Sequence, residues 1–327
     1  MVDVLIRVDA STKIGTGHVM RCLTIAEELR QRDCSISFYM KNSNKEMKDF
    51  VSGKGFHVVN FFQPTDLFII DHYDIDEKWE REIRPHVRKI VVIDDLANRR
   101  HDCDVLLDQN LVHNFARRYD ELVPATCKKL LGLRYFIARD EFIQERESVK
   151  PRSGKVERLL VFMGGTDPTN ESMKLLRAFH HVPMLFSHVD VVVGDGNKQK
   201  GEIEQLCKEH DLQFHCQIDY MASLVSEADV AIGAGGTAMW ERCYLGLPTA
   251  TVIVADNQKQ SVLEAEQHGL IWNLGEHDTV TTGDYASVLT KLVEKQDEVQ
   301  RMSQLCLQQT SSERLNEWVD YFLEGLS

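Results

Sequence analysis

A histidine stands directly after the second of two glycines near the start of the chain, in the stretch STKIGTGHVMRC of residues 11–22. The apolar strand VDVLIRV precedes this stretch, and the spacing of apolar residues after it predicts a helix that begins at His18. Near pH 7 a histidine can take a proton from a nucleophile, and we expect burial or the helix N-terminus to lower the pKa of His18 and favour its base form. His18 is therefore a candidate general base, although a ring that only caps the helix or satisfies a core hydrogen bond fits the same residues.

The stretch IIDHYDID places Asp71, His72 and Tyr73 just past another apolar strand. Tyr73 could hydrogen-bond a substrate hydroxyl or orient a water molecule, or its ring could pack over the sheet edge. Asp74 and Asp76 share the D-x-D spacing of metal-binding acids in some glycosyltransferases, yet hard cations need several converging oxygens. Because acidic residues are favoured in the first turn of a helix, we expect these two to serve the start of the next helix instead.

Three glycine-bearing turns each follow a strand and precede a helix: IGTGH at 14–18, MGGTD at 163–167 and GAGGTAMWE at 233–241. Glycine lets a ligand approach the backbone, and the free N–H groups and dipole of a helix start attract anions. Any one of them can be a plain tight turn, but three together predict a site for a phosphate-bearing ligand. No G-x-x-x-x-G-K-[ST] motif occurs, which argues against a Walker-type ATPase. The substrate contacts expected around the first two turns are Gly15, Arg21, Gly164 and Gly165.

The third turn also matches the loose dinucleotide pattern G-x-G-x-x-[GA] through Gly233, Gly235 and Ala238, which is a weak signal by itself. Glu241, one turn into the following helix, is placed either to accept hydrogen bonds from ribose hydroxyls or to compensate the helix dipole. Asn257, in VADNQKQ, lies between a strand and a helix. It can be the N-cap of that helix, a contact to a substrate amide, or both.

Short strands that are apolar on both faces alternate with helices along most of the chain, as in parallel sheets covered by helices. The stretch RESVKPRSGKVE, residues 146–157, loses this period and predicts a linker. We therefore predict an α/β protein of two Rossmann-like domains, residues 1–150 and 151–327, that face a cleft, where ligands of such sheets bind. The C-terminal part is predicted to form helices without an evident strand, and the last of these helices can cross back to the first domain.

The composition points to a small-molecule partner. The chain has 327 residues, 43% of them hydrophobic, so two domains can each bury a core. A net charge of -13 argues against nucleic acid or an anionic membrane as the main partner. The 8 cysteines form no C-x-x-C pair, the start of the chain lacks a signal-peptide pattern, and no apolar run approaches the ~18 residues that span a bilayer. We expect a cytoplasmic monomer with reduced thiols.

A series of motifs resembles one known family: IRVDASTKIGTGHVMRCLTIAEEL, IIDHYDID, IDD, MGGTD, GAGGTAMWE and VADNQ, in this order. Over roughly residues 1–270 the chain looks like the UDP-sugar hydrolase of pseudaminic acid biosynthesis and the related spore-coat polysaccharide proteins. That family is similar in fold to the two-domain, GT-B type glycosyltransferases typified by MurG, the enzyme that adds N-acetylglucosamine to lipid I. The resemblance implies that the C-terminal domain binds the nucleotide.

The resemblance also implies an activity, the hydrolysis of UDP-2,4-diacetamido-2,4,6-trideoxy-β-L-altropyranose to UDP and the free sugar, without a metal or cofactor. In that reaction water attacks the anomeric carbon opposite UDP, and the carbon–oxygen bond breaks. His18 matches the family's catalytic histidine, the general base for that water, and Tyr73 and Asn257 match two further active-site residues. The residues implied for the substrate are Gly17, Gly235, Gly236 and Thr237 at the diphosphate and Glu241 at the ribose. An inverting glycosyltransferase and a non-catalytic nucleotide-sugar-binding protein are the alternatives.

Overall fold

The computed structural model describes residues 1–9, 17–310 and 316–326. The chain divides into two compact units, one made of Met1–Arg139 with Ser312–Ser327 and the other of Asp140–Ser311. Each unit is built on a sheet whose paired strands, in the described part of the chain, all run parallel.

The stretch 146–157, which the sequence predicts as a linker, lies within the second unit, and the first unit ends at Arg139 rather than near residue 150. The reason is Arg152, whose buried side chain donates hydrogen bonds to the carbonyl oxygens of Val225, Ala228 and Leu245. These hydrogen bonds hold the stretch 146–157 against the rest of the second unit. Its charged residues, proline and glycine do not predict such contacts.

The first unit has the strand order β3-β2-β1-β4-β5-β6-β7. Alternate residues of the first strand serve the two faces of this sheet, since Val4 and Ile6 belong to one apolar core and Leu5 to another. The strands are β1 (Val2–Val8), β2 (Cys34–Tyr39), β3 (His57–Val59), β4 (Thr65–Asp71), β5 (Val87–Ile93), β6 (Val105–Asp108) and β7 (Lys128–Leu131). The helices are α1 (Gly17–Arg30), α2 (Lys45–Gly53), α3 (Glu77–Ile83) and, from the C-terminal segment, the last helix, Trp318–Leu323. Trp318 and Phe322 of that last helix pack in the same core as α1.

The second unit has the strand order β10-β9-β8-β11-β12-β13. Its strands are β8 (Arg158–Phe162), β9 (His188–Val193), β10 (Gln213–Cys216), β11 (Val230–Ala234), β12 (Thr249–Ile253) and β13 (Trp272–Glu276). Its helices are α4 (Asp140–Arg146), α5 (Glu171–Ala178), α6 (Lys200–Glu209), α7 (Met221–Glu227), α8 (Thr237–Tyr244), α9 (Lys259–Gln267), α10 (Thr282–Glu294) and α11 (Gln296–Gln309), so that Trp318–Leu323 is α12.

The expectation that no strand follows α9 is wrong, because β13 pairs in parallel with β12. Every residue of β13 is half-buried, the pairing shifts register between Thr251 and Val252, and Gly275 has a φ of 105°. An edge strand with one side toward solvent and a glycine in it lacks the continuous apolar run that reveals a central strand.

In both sheets the order in which successive strands are added reverses at the first strand. The chain passes from β1 outward through β2 and β3 and then crosses to β4 on the other side, and it does the same from β8 through β9 and β10 to β11. The carboxyl ends of the two strands at such a switch point flank a crevice in which open α/β sheets bind ligands. In the first unit these ends lead to His18 and Asp71, and in the second to the turns around Gly164 and Gly235.

Candidate active site

His18 is the second residue of α1 and Asp71 the last residue of β4, so the switch point of the first sheet brings the two side chains together. Nδ1 of His18 lies 2.5 Å from Oδ1 of Asp71, and both residues are buried. A neutral ring that donates its Nδ1–H to the carboxylate keeps its lone pair on Nε2. This orientation suits a histidine that accepts a proton at Nε2.

The pKa of His18 differs from the sequence-based expectation. Burial lowers it, but the attraction of the Asp71 carboxylate outweighs burial, so the pKa of His18 lies above its ordinary value. The expectation of a lowered pKa is therefore wrong, because it took account of burial and the helix start but not of the carboxylate. Burial acts to raise the pKa of Asp71, yet the charges of Arg21 and His18 hold it well below its usual range.

Arg21 lies one turn after His18 on α1 and is buried between two carboxylates. Its Nε and Nη2 donate to Asp71 at 3.0 and 2.8 Å, and its Nη1 and Nη2 donate to Asp95 at 2.9 and 3.2 Å. The sequence predicts Arg21 as a substrate contact. In the structure its guanidinium holds the carboxylates that surround the histidine.

Tyr73 lies two residues beyond the end of β4 and is half-buried. Its ring meets the His18 ring edge-on, with centroids 4.7 Å apart and the planes at 90°. Its hydroxyl donates to Oδ2 of Asp95 at 3.3 Å. Tyr73 therefore restricts the histidine ring from one side while Asp71 fixes it from another.

Asp95 also connects this pair to a deeper group of polar residues at the ends of β5 and β6. Nδ2 of Asn110 donates to Oδ1 of both Asp95 and Asp108 at 3.0 Å, and Nη1 of Arg118 donates to Oδ2 of Asp108 at 3.3 Å. Burial and the charge of Asp95 raise the pKa of Asp108 to about 7. Asp108 thus changes its charge near neutral pH within a network that reaches His18 through Asp95 and Arg21.

In the second unit, the third glycine turn leads into α8, whose N-terminus is not capped by a side chain among the described residues. Gly236 occupies the N-cap position with a φ of 88°, in the left-handed region that favours glycine. Gly235 is restricted by space, because a Cβ there would lie 2.8 Å from Cγ2 of Val262. Open N–H groups behind a glycine turn are suited to a phosphate group.

The second glycine turn differs from the third because a side chain caps the helix that follows it. Gly164 has a φ of 92°, but three residues further along the Asp167 carboxylate accepts hydrogen bonds from the backbone N–H groups of Glu171 and Ser172, at 3.0 and 2.9 Å. These are the first N–H groups of α5, so a carboxylate already serves this helix start. Gly164 and Gly165 can let a ligand approach the backbone, but α5 does not offer its N-terminus to an anion.

Thr237 is the first residue of α8, and Glu241 lies half-buried on its second turn. Asn257 is exposed within a 3₁₀ turn, Asp256–Gln258, and the N-cap position of α9 falls on Gln258. The interpretation of Asn257 as a helix N-cap is therefore wrong, because the 3₁₀ turn intervenes between strand and helix. Asn257 stays a candidate substrate contact.

Gly15 lies outside the described residues, and Gly17 is the exposed first residue of α1. Asp76 caps α3 by accepting hydrogen bonds from the backbone N–H groups of Lys78 and Trp79. Within residues 1–9, 17–310 and 316–326, no three His, Cys, Asp or Glu side chains are grouped so that they could hold a metal ion. In the same residues no helix is long and apolar enough to cross a membrane.

The local sequence pattern marks His18 but not the carboxylates that organise it, namely Asp71 as its partner and Asp95 and Asp108 behind it. A usable signal was present, because the stretches DLFIID, KIVVIDD and DVLLD end in Asp71, Asp95 and Asp108. These strands are β4, β5 and β6, which are neighbours in the sheet. The carboxyl ends of parallel neighbours lie at one edge, so their aspartates gather there.

Comparison with solved structures defines the fold class. MurG of Acinetobacter baumannii aligns over 99% of this chain and 100% of its own with a TM-score of 0.67 at 15% identity. Phytolacca americana UGT2 aligns over 100% of this chain and 98% of its own with a TM-score of 0.67 at 9% identity. Residues 159–317 match the glycosyltransferase family 28 C-terminal domain. The protein has the two-domain α/β fold of the GT-B glycosyltransferases, which confirms the predicted fold class.

Other proteins are similar to this chain in sequence. The UDP-2,4-diacetamido-2,4,6-trideoxy-β-L-altropyranose hydrolase of Campylobacter jejuni is 26% identical over 270 residues, which cover 79% of this chain and 94% of that protein. The spore coat polysaccharide biosynthesis protein SpsG of Bacillus subtilis is 23% identical over 284 residues, covering 82% of each chain. An uncharacterised protein of Methanocaldococcus jannaschii is 27% identical over 274 residues, and the matched region covers 77% of this chain but only 55% of that longer relative. The chain is similar to these proteins at the level of a family.

Proposed function

We propose that the protein hydrolyses a UDP-sugar to UDP and the free sugar, with His18 as the general base. The observation that carries this proposal is the buried contact of 2.5 Å between Nδ1 of His18 and Oδ1 of Asp71. It supports a base because the carboxylate directs the lone pair of the ring to Nε2. The uncapped start of α8 behind Gly235 and Gly236 supports a site for the diphosphate in the second unit.

The proposed reaction is a single displacement at the anomeric carbon. Nε2 of His18 takes a proton from water as the water oxygen forms a bond to that carbon, and the bond from carbon to the β-phosphate oxygen breaks. UDP leaves with the electron pair of the broken bond, and His18 then passes its proton to solvent. The net change is one water consumed, with UDP and the free sugar released.

The leaving group needs stabilisation, since negative charge grows on the diphosphate as the bond breaks. We assign this task to the backbone N–H groups at the start of α8, where no side chain of the described residues caps the helix. Thr237 follows the turn and can add its hydroxyl. Glu241, on the next turn, is suited to accept hydrogen bonds from the ribose hydroxyls.

For the sugar, we propose UDP-2,4-diacetamido-2,4,6-trideoxy-β-L-altropyranose, the compound in the name of the Campylobacter jejuni relative. The support is that the matched region spans 94% of that protein and 79% of this chain. Tyr73, edge-on to His18, is placed to orient the attacking water or a sugar hydroxyl.

The test of the reaction is to incubate the protein with this UDP-sugar in water enriched in ¹⁸O. Attack at the anomeric carbon predicts one ¹⁸O atom in the free sugar and none in UDP, as measured by mass spectrometry at early times, before the free sugar exchanges oxygen with the solvent. Label in UDP would contradict the proposal, because it requires attack at phosphorus.

A glycosyltransferase is the second candidate, favoured by the match of residues 159–317 to a glycosyltransferase domain. The two functions differ in the acceptor. A hydrolase releases UDP with water alone, whereas a glycosyltransferase releases UDP quickly only when its acceptor sugar is added.

A further inference from the structure

Arg242 lies in α8 directly after Glu241 and is only 2% exposed. Its Nη2 donates to the carbonyl oxygen of Ala234 at 2.7 Å. A Cβ on Gly233 would lie 2.9 Å from both Cζ and Nη1 of Arg242. The guanidinium therefore packs directly beneath the turn, residues 233–236, that precedes the uncapped start of α8.

The charge of Arg242 is poorly compensated. Its Nε and Nη1 have no hydrogen-bond partner in the part of the chain that the structure describes. The Glu241 carboxylate attracts the guanidinium electrostatically, but no direct ion pair to Arg242 is found among the described residues. Burial lowers the pKa of Arg242 to about 10, which leaves the side chain charged at neutral pH. The adjoining cavity, which Glu241 and Arg242 line, has a volume of about 10 Å³, room for one water and not for a counter-ion.

Burying a cation without a partner costs stability, so we expect a negative charge to compensate Arg242. An anion bound at the start of α8 would provide it, because the same turn separates the guanidinium from the open N–H groups. In a buried environment of low dielectric constant the attraction between such charges extends through several ångströms of backbone.

We propose that Arg242 is a fixed positive charge beneath the glycine turn that strengthens binding of the nucleotide diphosphate without touching it. This rests on the proposed function, in which UDP binds at the start of α8. Arg242 acts through the field across the turn, so its effect grows with the charge of the ligand. UDP gains most, UMP gains less, and uridine gains little.

The test compares the affinities of UDP, UMP and uridine for the wild type, Arg242→Gln and Arg242→Lys. The glutamine keeps a donor for the carbonyl oxygen of Ala234 but removes the charge, and the lysine keeps the charge. We expect Arg242→Gln to weaken UDP binding by at least about tenfold with little change for uridine, and Arg242→Lys to weaken it less. Arg242→Met, an apolar side chain of similar length, replaces the glutamine variant should that variant fail to fold.

A matched control is available in Arg152, which is also buried in the second unit and whose pKa burial likewise lowers to about 10. Its guanidinium donates to carbonyl oxygens, including that of Ala228 just before β11, at the opposite end of the strand from the turn. Arg152→Gln should lower thermal stability and leave the ratio of UDP to uridine affinity unchanged.

Equal UDP-to-uridine ratios in the wild type and the neutral Arg242 variants would overturn this inference alone. A ratio that falls as much in Arg152→Gln as in Arg242→Gln would also overturn it, since any buried charge would then have the same effect. Failure of the wild type to bind UDP would instead overturn the proposed function, and the inference with it.

Discussion

Nδ1 of His18 lies 2.5 Å from Oδ1 of Asp71, in a buried pair formed by the first turn of α1 and the last residue of β4. The carboxylate raises the pKa of His18 despite burial, and it fixes which ring nitrogen carries the lone pair. The same carboxylate is held in turn by Arg21. The ring of His18 is therefore oriented by a network rather than by the helix start alone.

Replacing Asp71 by Asn should lower kcat/KM by at least about 100-fold, because the ring loses the partner that selects its tautomer. The substitution should also move the acid limb of the pH profile of kcat/KM to lower pH. The sign follows from the removal of a charge that raises the pKa of His18, which leaves burial to lower it.

The control for Asp71 is Asp102→Asn. Asp102 accepts a hydrogen bond from Arg84 in the same unit and, in the part of the chain that the structure describes, forms no hydrogen bond or ion pair with His18, Asp71 or Arg21. Asp102→Asn should leave both kcat/KM and the acid limb of its pH profile unchanged. An acid limb that stays in place in Asp71→Asn would contradict the assignment of that limb to His18.

Tyr73→Phe and Tyr73→Ala separate the two contacts of this tyrosine. Phenylalanine keeps the ring edge against His18 and loses the hydroxyl that bonds Asp95, whereas alanine loses both. We expect kcat to fall roughly tenfold in the first variant and further in the second. Steady-state UDP release measures both, and equal kcat values for the two variants would mean that the ring contact does not matter.

Gly236→Ala should weaken UDP binding and destabilise the second unit by about 1 to 2 kcal/mol, since its φ of 88° is strained for any L side chain. Gly201→Ala is the matched control, because Gly201 lies in α6 with no atom within 4 Å of its added Cβ. It should leave UDP affinity unchanged and stabilise the helix by up to about 1 kcal/mol. Calorimetric titration with UDP and urea unfolding measure both effects, and unaltered UDP affinity in Gly236→Ala would exclude this turn from the nucleotide site.

Asp108 should make the stability of the first unit depend on pH near neutrality. Its pKa of about 7 in the folded protein lies above the ordinary value, so the stability it contributes is present at low pH and is lost as pH rises through 7. Asp108→Asn stays neutral, so its free energy of unfolding relative to the wild type should increase by about 3 kcal/mol between pH 5 and pH 8. Urea unfolding at several pH values measures this difference, and a constant difference would show that Asp108 does not titrate in this range.

Much of the fold follows from local patterns. The strand VDVLIRV is found in the structure with the predicted bounds, and the helix predicted from His18 begins one residue earlier, at Gly17, because continuous apolar runs and helical spacing are strong signals. The edge strand β13 was missed because it is half-exposed along its length. The boundary near residue 150 was misplaced because Arg152 is paired with backbone carbonyls that lie more than 70 residues away in the sequence.

The candidate site also follows only in part from local patterns. The position of His18 after a glycine turn is a local feature and marks it as a candidate base, and Gly235 and Gly236 are recognised likewise. Its contact with Asp71 spans 53 residues and depends on which strands are neighbours, which spacing along the chain does not state. The starts of α5 and α8 differ because the Asp167 side chain accepts hydrogen bonds from the first N–H groups of α5, whereas no side chain among the described residues caps α8.

The most direct measurement of the central claim is the rate of UDP release from UDP-2,4-diacetamido-2,4,6-trideoxy-β-L-altropyranose, with a chelator present and no acceptor sugar, by the wild type and by His18→Ala. We predict rapid release by the wild type and a loss of at least about 1,000-fold in the variant, which still binds UDP with unchanged affinity. Release by His18→Ala at the wild-type rate, or no release by a wild type that binds UDP, would contradict it.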